Sequence, residues 1–222
     1  YTLTRSKRKT IALYIRDGGL EVRAPLKMAK REIDRFIASN EKWIADRLAK
    51  SRVQTEQRRT FRLSYGDTVT LRGAAYPLVA QAGTQAGFDG ERLYLPPNLA
   101  PEQIKAVCVH IYRQLAKPYL TARAAYFAGQ MNVTPSAVRI SGAKTQWGSC
   151  SARRSLNFSW RLILADDGVI DYVVVHELAH LTEMNHSARF WAIVENVLPD
   201  YRARQAVLRE LQKRLDGENW DP

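Results

Sequence analysis

The stretch that most constrains this chain runs from Leu156 to Leu181, where apolar residues dominate under two successive periods. Leu156, Phe158, Trp160, Leu162 and Leu164 alternate with Ser155, Asn157, Ser159, Arg161 and Ile163. Period two is the pattern of a strand with one face on a core and the other open to solvent or a cleft. After Ala165-Asp-Asp167 the spacing changes, and Val169 to Leu181 reads as a helix. Asp166 or Asp167 can cap it, because a carboxylate accepts from the free N–H groups of the first turn and suits the helix dipole.

From Val173 to Leu181 every residue is apolar except His176, Glu177 and His180. Residues four apart project from one helical face, about 6 Å apart along the axis. Two imidazoles so placed can reach a single metal ion at about 2.0–2.1 Å. Glu177 lies beside them, positioned to act on a metal-bound water without ligating the metal, which is the His-Glu-x-x-His arrangement of zinc hydrolases. A purely structural role would bury two histidines and a carboxylate on an apolar helix, at about 1–3 kcal/mol for each unpaired polar group.

A third ligand is needed, and His186 leads. An unbroken helix would place it about 240° around from His180, so the helix has to end within Thr182 to Asn185 and the chain fold back. Asn185 can supply a left-handed residue for that reversal. The competing ligand is Glu195, on the helix expected after His186. His110, the remaining histidine, sits on an earlier helix and reads as a packed or surface residue.

Elsewhere, Ile11 to Ile15 and Leu20 to Ala24 read as a hairpin around a turn at Asp17-Gly-Gly19. Residues 29–51 have helical spacing, with the polar stretch 54–60 expected to end that helix. Asp67 to Arg72 and Arg92 to Leu95 are strand-like. Pro96-Pro97 breaks the chain, so a β-rich region 1–98 carrying one long helix is expected before a second domain, 99–222. A helix starts at Pro101, with Ile104, Val107, Ile111 and Leu115 as its buried stripe and Pro118 kinking or dividing it. Val133 to Ser141 reads as a strand, and Trp147-Gly-Ser-Cys150 lies in an irregular loop.

Composition excludes whole classes. With 45% hydrophobic and 25% charged residues, the chain is neither disordered nor collagen-like. Two cysteines, Cys108 and Cys150, are too few for a disulfide framework and point to a reduced, cytoplasmic setting. No apolar run approaches a bilayer span, and the basic, polar start does not read as a signal peptide. Of the net charge of +12, residues 1–60 carry +9, from 16 Lys+Arg against 7 Asp+Glu. Such an excess is either a solvated surface or a patch for nucleic acid or another anionic partner.

The sequence resembles the YgjP-like metallopeptidases, relatives of the WLM and SprT-type zincins. The resemblance is carried by Lys144-Thr-Gln-Trp-Gly-Ser-Cys-Ser151, Leu156-Asn157, Trp160-Arg-Leu-Ile-Leu164, Ile170 to His180, Asn185-His-Ser187, Phe190-Trp191 and Leu198-Pro-Asp-Tyr201. Ala165-Asp-Asp167 departs from it, since such sequences commonly have proline there. The resemblance implies an α+β, zincin-like metallopeptidase core, its active-site helix packed on a small sheet. It also implies a Zn2+ cofactor held by His176, His180 and His186, with Glu177 as the catalytic carboxylate.

On that basis Glu177 would take a proton from a zinc-bound water attacking a peptide carbonyl, then pass it to the leaving amine. Lys144, Arg161, Tyr172 and Tyr201 are possible oxyanion donors. Trp147, Gly148 and Ser149 would shape the loop near the cleft, with Cys150 packed. The strand Leu156 to Leu164 could hold an extended peptide along its free edge. Two other classes stay open: a DNA-associated protease using the basic N-terminal region, and a non-catalytic zinc-binding protein. A non-peptide amide or ester substrate, or another metal such as cobalt, nickel or manganese, is also compatible.

Overall fold

The computed structural model describes residues 1–16 and 18–221, and the chain forms two compact units. The first comprises Tyr1–Phe61 with Arg214–Asn219. Its sheet holds β1 (Thr2–Ser6), β2 (Ala12–Arg16) and β3 (Gly19–Pro25) in the order β1-β3-β2. β2 and β3 are the expected antiparallel hairpin, with Leu13 opposite Val22; Asp17 of its turn lies outside the described residues. β1, a strand without a clear period of its own in the sequence, runs parallel to β3. Val22, Ala24 and Ile33 form a fully buried centre, joined by Leu3, Leu13 and Ile37.

Where one helix is expected over 29–51 there are two, α1 (Lys30–Ser39) and α2 (Glu41–Thr60). Asn40 divides them: with φ −115° and ψ 16° it leaves the helical region, and its Nδ2 donates to the Phe36 carbonyl at 2.8 Å. Asparagine offers the backbone this alternative partner more readily than an aliphatic residue does. The polar residues 54–60 do not end α2. They are its solvated last turns, with Arg59 forked onto Glu56 at 2.9 and 2.8 Å.

The second unit comprises Arg62–Lys213 with Trp220–Pro222, so the compact division falls at 61/62 and not at Pro96-Pro97. The reason is visible at the turn between β4 (Thr68–Leu71) and β5 (Ala74–Ala80). Arg72 and Gly73 both have positive φ, 49° and 76°, as a two-residue hairpin turn of the favoured hand requires. The Arg72 N–H donates to the Ile163 carbonyl at 2.8 Å, and a Cβ on Gly73 would lie 2.9 Å from the Asp166 Cβ. This sheet, completed by β6 (Gly87–Phe88) and β7 (Leu93–Leu95) in the order β4-β5-β7-β6, is thereby built onto the segment that leads into the histidine-bearing helix.

α3 (Pro101–Gln130) runs through Pro118 without dividing. Its buried face is Ile104, Cys108, Ile111, Tyr112, Ala116, Leu120 and Phe127; Val107 and Leu115 are half-buried beside it. A second sheet contains β8 (Ala137–Ser141), β9 (Gly148–Cys150) and β10 (Ser155–Ser159) in the order β8-β10-β9. β10 is parallel to β8 and antiparallel to β9.

The strand expected over Leu156 to Leu164 stops at Ser159, and Trp160–Leu164 is a 3-10 turn. Ser159 accepts from the Arg161 N–H through its hydroxyl, which ends the ladder. Trp160, Leu162, Ile163 and Leu164 are each at most 2% exposed. The period-two pattern there reflects burial on all sides, not one open face.

α4 (Asp167–Ala179), α5 (Ala188–Val197) and α6 (Tyr201–Asp216) follow. Asp166 caps α4, accepting from the Val169 N–H at 2.9 Å, whereas Asp167 is drawn to Arg72 and the Tyr119 hydroxyl. α4 packs against α3 and β9. The fold is therefore α+β as expected, with the histidine-bearing helix on a small sheet. Among the described residues no helix is long and apolar enough to cross a membrane.

Candidate active site

α4 delivers His176 and Glu177 from its last turn and ends at Ala179, with His180 as its C-cap. That end comes earlier than expected. The reversal begins with Thr182 and Glu183 N–H groups bonding back to the Ala179 carbonyl, both at 3.0 Å, while His180 Nδ1 lies 3.1 Å from the Glu183 carbonyl. Asn185 does not adopt the left-handed conformation expected of it. Its side-chain carbonyl instead accepts from the Ser187 N–H at 3.0 Å, and Ser187 caps α5. His186 is thereby held between a side-chain-closed turn and a capped helix.

One ring nitrogen from each of His176, His180 and His186 lies within 4.8 Å of the other two, close enough for all three to reach one ion. His176 Nε2 and His186 Nε2 are 3.0 Å apart. Two imidazole lone pairs at that distance repel unless a proton or a cation lies between them. Neighbouring nitrogens on a tetrahedral ion with bonds of about 2.0–2.1 Å stand about 3.3 Å apart, so the donor set fits a small cation. The contact of His180 Nδ1 with a carbonyl fixes the proton on that nitrogen and leaves the Nε2 lone pair available to a cation.

Burial, followed by the two neighbouring imidazoles, drives the His176 pKa down to about 4, and burial lowers that of His180. Both rings are therefore neutral at pH 7, the form a metal ligand needs. Phe190 is completely buried and touches all three rings, at centroid distances of 4.8, 4.6 and 4.7 Å. It forms the apolar floor that sets their orientation. No sequence signal beyond its place in the Phe190-Trp191 pair marks Phe190 for this role.

Glu177 is 6% exposed, and burial pushes its pKa up to about 7. The loop motif explains how it fits. A Cβ on Gly148 would lie 2.6 Å from Glu177 Cγ and 2.7 Å from its Oε1, so only glycine in β9 leaves room for the carboxylate. Next to it, burial and then the charge of Glu177 raise the Cys150 thiol pKa, which keeps it protonated and a poor nucleophile.

The other sequence candidates separate. Glu195 is exposed on α5, lies outside the histidine cluster and faces Arg202 at 3.8 Å. His110 is an exposed residue of α3. Lys144 and Arg161 are both turned to Asp221, at 2.5 and 3.8 Å. Tyr172 and Tyr201 do lie beside the site: Tyr172 is 5.9 Å from the His176 ring and stacks on Tyr201, which stacks in turn on Trp191. The free edge expected along Leu156 to Leu164 is not present, because β10 ends at Ser159 and is the central strand, paired on both sides. The edge next to α4 is β9.

A model of the YgjP-like metallopeptidase domain matches residues 9–211. Among solved structures, the metallopeptidase zymogen of Pyrococcus abyssi abylysin is similar at 21% identity and a TM-score of 0.39, over 45% of this chain and 97% of that one. The zymogen of Methanocaldococcus jannaschii jannalysin is similar at 20% identity and a TM-score of 0.38, over 43% of this chain and 96% of that one. Among curated proteins none matches. With a family match across nearly the whole chain, over a fold that gathers three histidines around one point, this protein belongs to the YgjP-like metallopeptidase family and is a metal-dependent peptidase.

Proposed function

We propose that the protein is a zinc peptidase in which His176, His180 and His186 hold the ion and Glu177 is the general base. The observation that carries this reading is the convergence of three imidazoles beside a buried carboxylate. Zinc suits an all-imidazole, near-tetrahedral donor set, and three protein ligands leave a position open where a structural site would be closed by a fourth. A cation held there supplies Lewis-acid activation of water and polarisation of the scissile carbonyl.

The chain's own residues do the rest. Glu177, with its proton affinity raised by burial, takes the proton of the attacking water and releases it to the departing nitrogen. Gly148 permits its close approach, and Phe190 keeps the rings in place. The outer edge of β9, next to α4, is where an extended peptide would add as a further strand, its carbonyl directed at the histidines. Tyr172 and Tyr201 are the remaining donors for the oxyanion, since Lys144 and Arg161 are engaged by Asp221. Cys108 and Cys150 are free thiols, which supports a reducing, cytoplasmic setting.

Glu177→Gln tests the assignment. It keeps the shape of the side chain and removes the base, so metal content should stay at the wild-type level while cleavage of a mixed peptide pool falls by a factor of about 10³ or more. Wild-type turnover in this variant would remove Glu177 from the mechanism.

A further inference from the structure

A second set of interacting side chains lies in the same compact unit, around Trp220 and Asp221. Trp220 is 6% exposed and meets Tyr112 at 5.6 Å and Trp160 at 6.0 Å, both edge to face, while Tyr112 and Trp160 stack on each other at 5.6 Å. Beside it the Asp221 carboxylate faces Lys144 at 2.5 Å and Arg161 at 3.8 Å. Arg161 is 9% exposed, and its Nη1 also donates to the Gly142 carbonyl at 3.0 Å and the Ala143 carbonyl at 3.4 Å. Ser159 holds the same loop from β10: its hydroxyl donates to the Ala143 carbonyl at 2.7 Å and its N–H to the Trp147 carbonyl at 2.9 Å. Gly148, against Glu177, is the next residue.

We propose that Trp220 and Asp221 are a latch for loop 142–147, with Arg161 as the positioning residue through which they set β9 against Glu177 and a bound peptide. The inference rests on β9 being the edge that holds substrate. A guanidinium this buried needs charge compensation. Asp221 supplies it, and the three-ring cluster fixes where Asp221 stands. Without that carboxylate the Arg161 head group, which also lies over the Trp160 ring at 4.8 Å, loses its Asp221 partner, and its hold on the two loop carbonyls weakens. The effect then reaches the site through the loop and β9.

The test uses the full chain with Asp221→Ala, Asp221→Glu and, at the exposed end of the pair, Lys144→Ala. Amide exchange over 143–150 should speed up about tenfold in Asp221→Ala while metal content stays unchanged. KM for the best-cleaved member of a quenched-fluorescence peptide library should rise about tenfold, with kcat within about twofold. Asp221→Glu should recover most of both changes, which a merely packing role would not produce. Exchange and KM at wild-type values in folded Asp221→Ala would overturn the latch, and the same two readouts on Lys144→Ala decide it should Asp221→Ala not fold. If wild type cleaves no library member, the peptidase reading fails, and the exchange comparison alone decides the latch.

Discussion

Gly148→Ala is the sharpest perturbation of the arrangement around Glu177. The added methyl would sit 2.6 Å from Glu177 Cγ and 2.8 Å from its Cδ. Ordinary contact needs about 3.4 Å, so carboxylate and strand have to part by about 0.8 Å. Displacements near 1 Å of a reacting group cost about 10²-fold in rate, and forcing one methyl into a filled space costs about 1–3 kcal/mol of stability. The expected result is a fall in kcat/KM of about 30- to 100-fold, carried by kcat, with metal content intact and a Tm several degrees lower. Steady-state kinetics, metal analysis and thermal melts on the same preparations separate these effects. In a Glu177→Gln background the alanine should cost little further activity, because both changes act on one group. Wild-type kcat in Gly148→Ala would refute the claim that β9 positions the base.

Two further outcomes concern stability. Burial raises the Glu177 pKa from 4.5 to about 7, so its protonated form favours the metal-free fold below about pH 4.5, and that stability is lost as pH rises through 7. At about 1.4 kcal/mol per pKa unit, metal-free Glu177→Gln should gain about 3 kcal/mol on wild type between pH 4.5 and 8, read from urea unfolding; a pH-independent difference would show that the carboxylate is not desolvated. Asp166→Ala removes the cap of α4 and should cost about 1 kcal/mol in the same assay, with His186, the third ligand we propose, still in place and metal retained.

The parts of this fold that are legible in the sequence are those where one local signal has one structural meaning. Spacing of four puts His176 and His180 on one face, an aspartate at 166 or 167 is a cap by chemistry, and Asp17-Gly-Gly19 separates two strand-like runs. The 156–164 stretch misleads because alternation stops being informative when every side is buried; Ser159, a strand-ending hydroxyl, is the cue that marks the break. At Asn40 a side-chain bond to Phe36 outcompetes the helical spacing around it. The site's supporting parts are invisible for a different reason. Gly148 is defined by its distance to Glu177, twenty-nine positions on, Phe190 by rings brought to it across the break between two helices, and the Arg161–Asp221 pair spans sixty positions. Nothing local in the sequence encodes such contacts.

The most direct test of the central claim is metal stoichiometry by mass spectrometry on the purified chain and on His176→Ala, His186→Ala and Glu195→Ala. Wild type and Glu195→Ala should each carry one zinc per chain, while both histidine variants should fall below about a tenth of that. A wild-type chain that takes up no zinc, or a His186→Ala chain that keeps it, would contradict the three-imidazole centre.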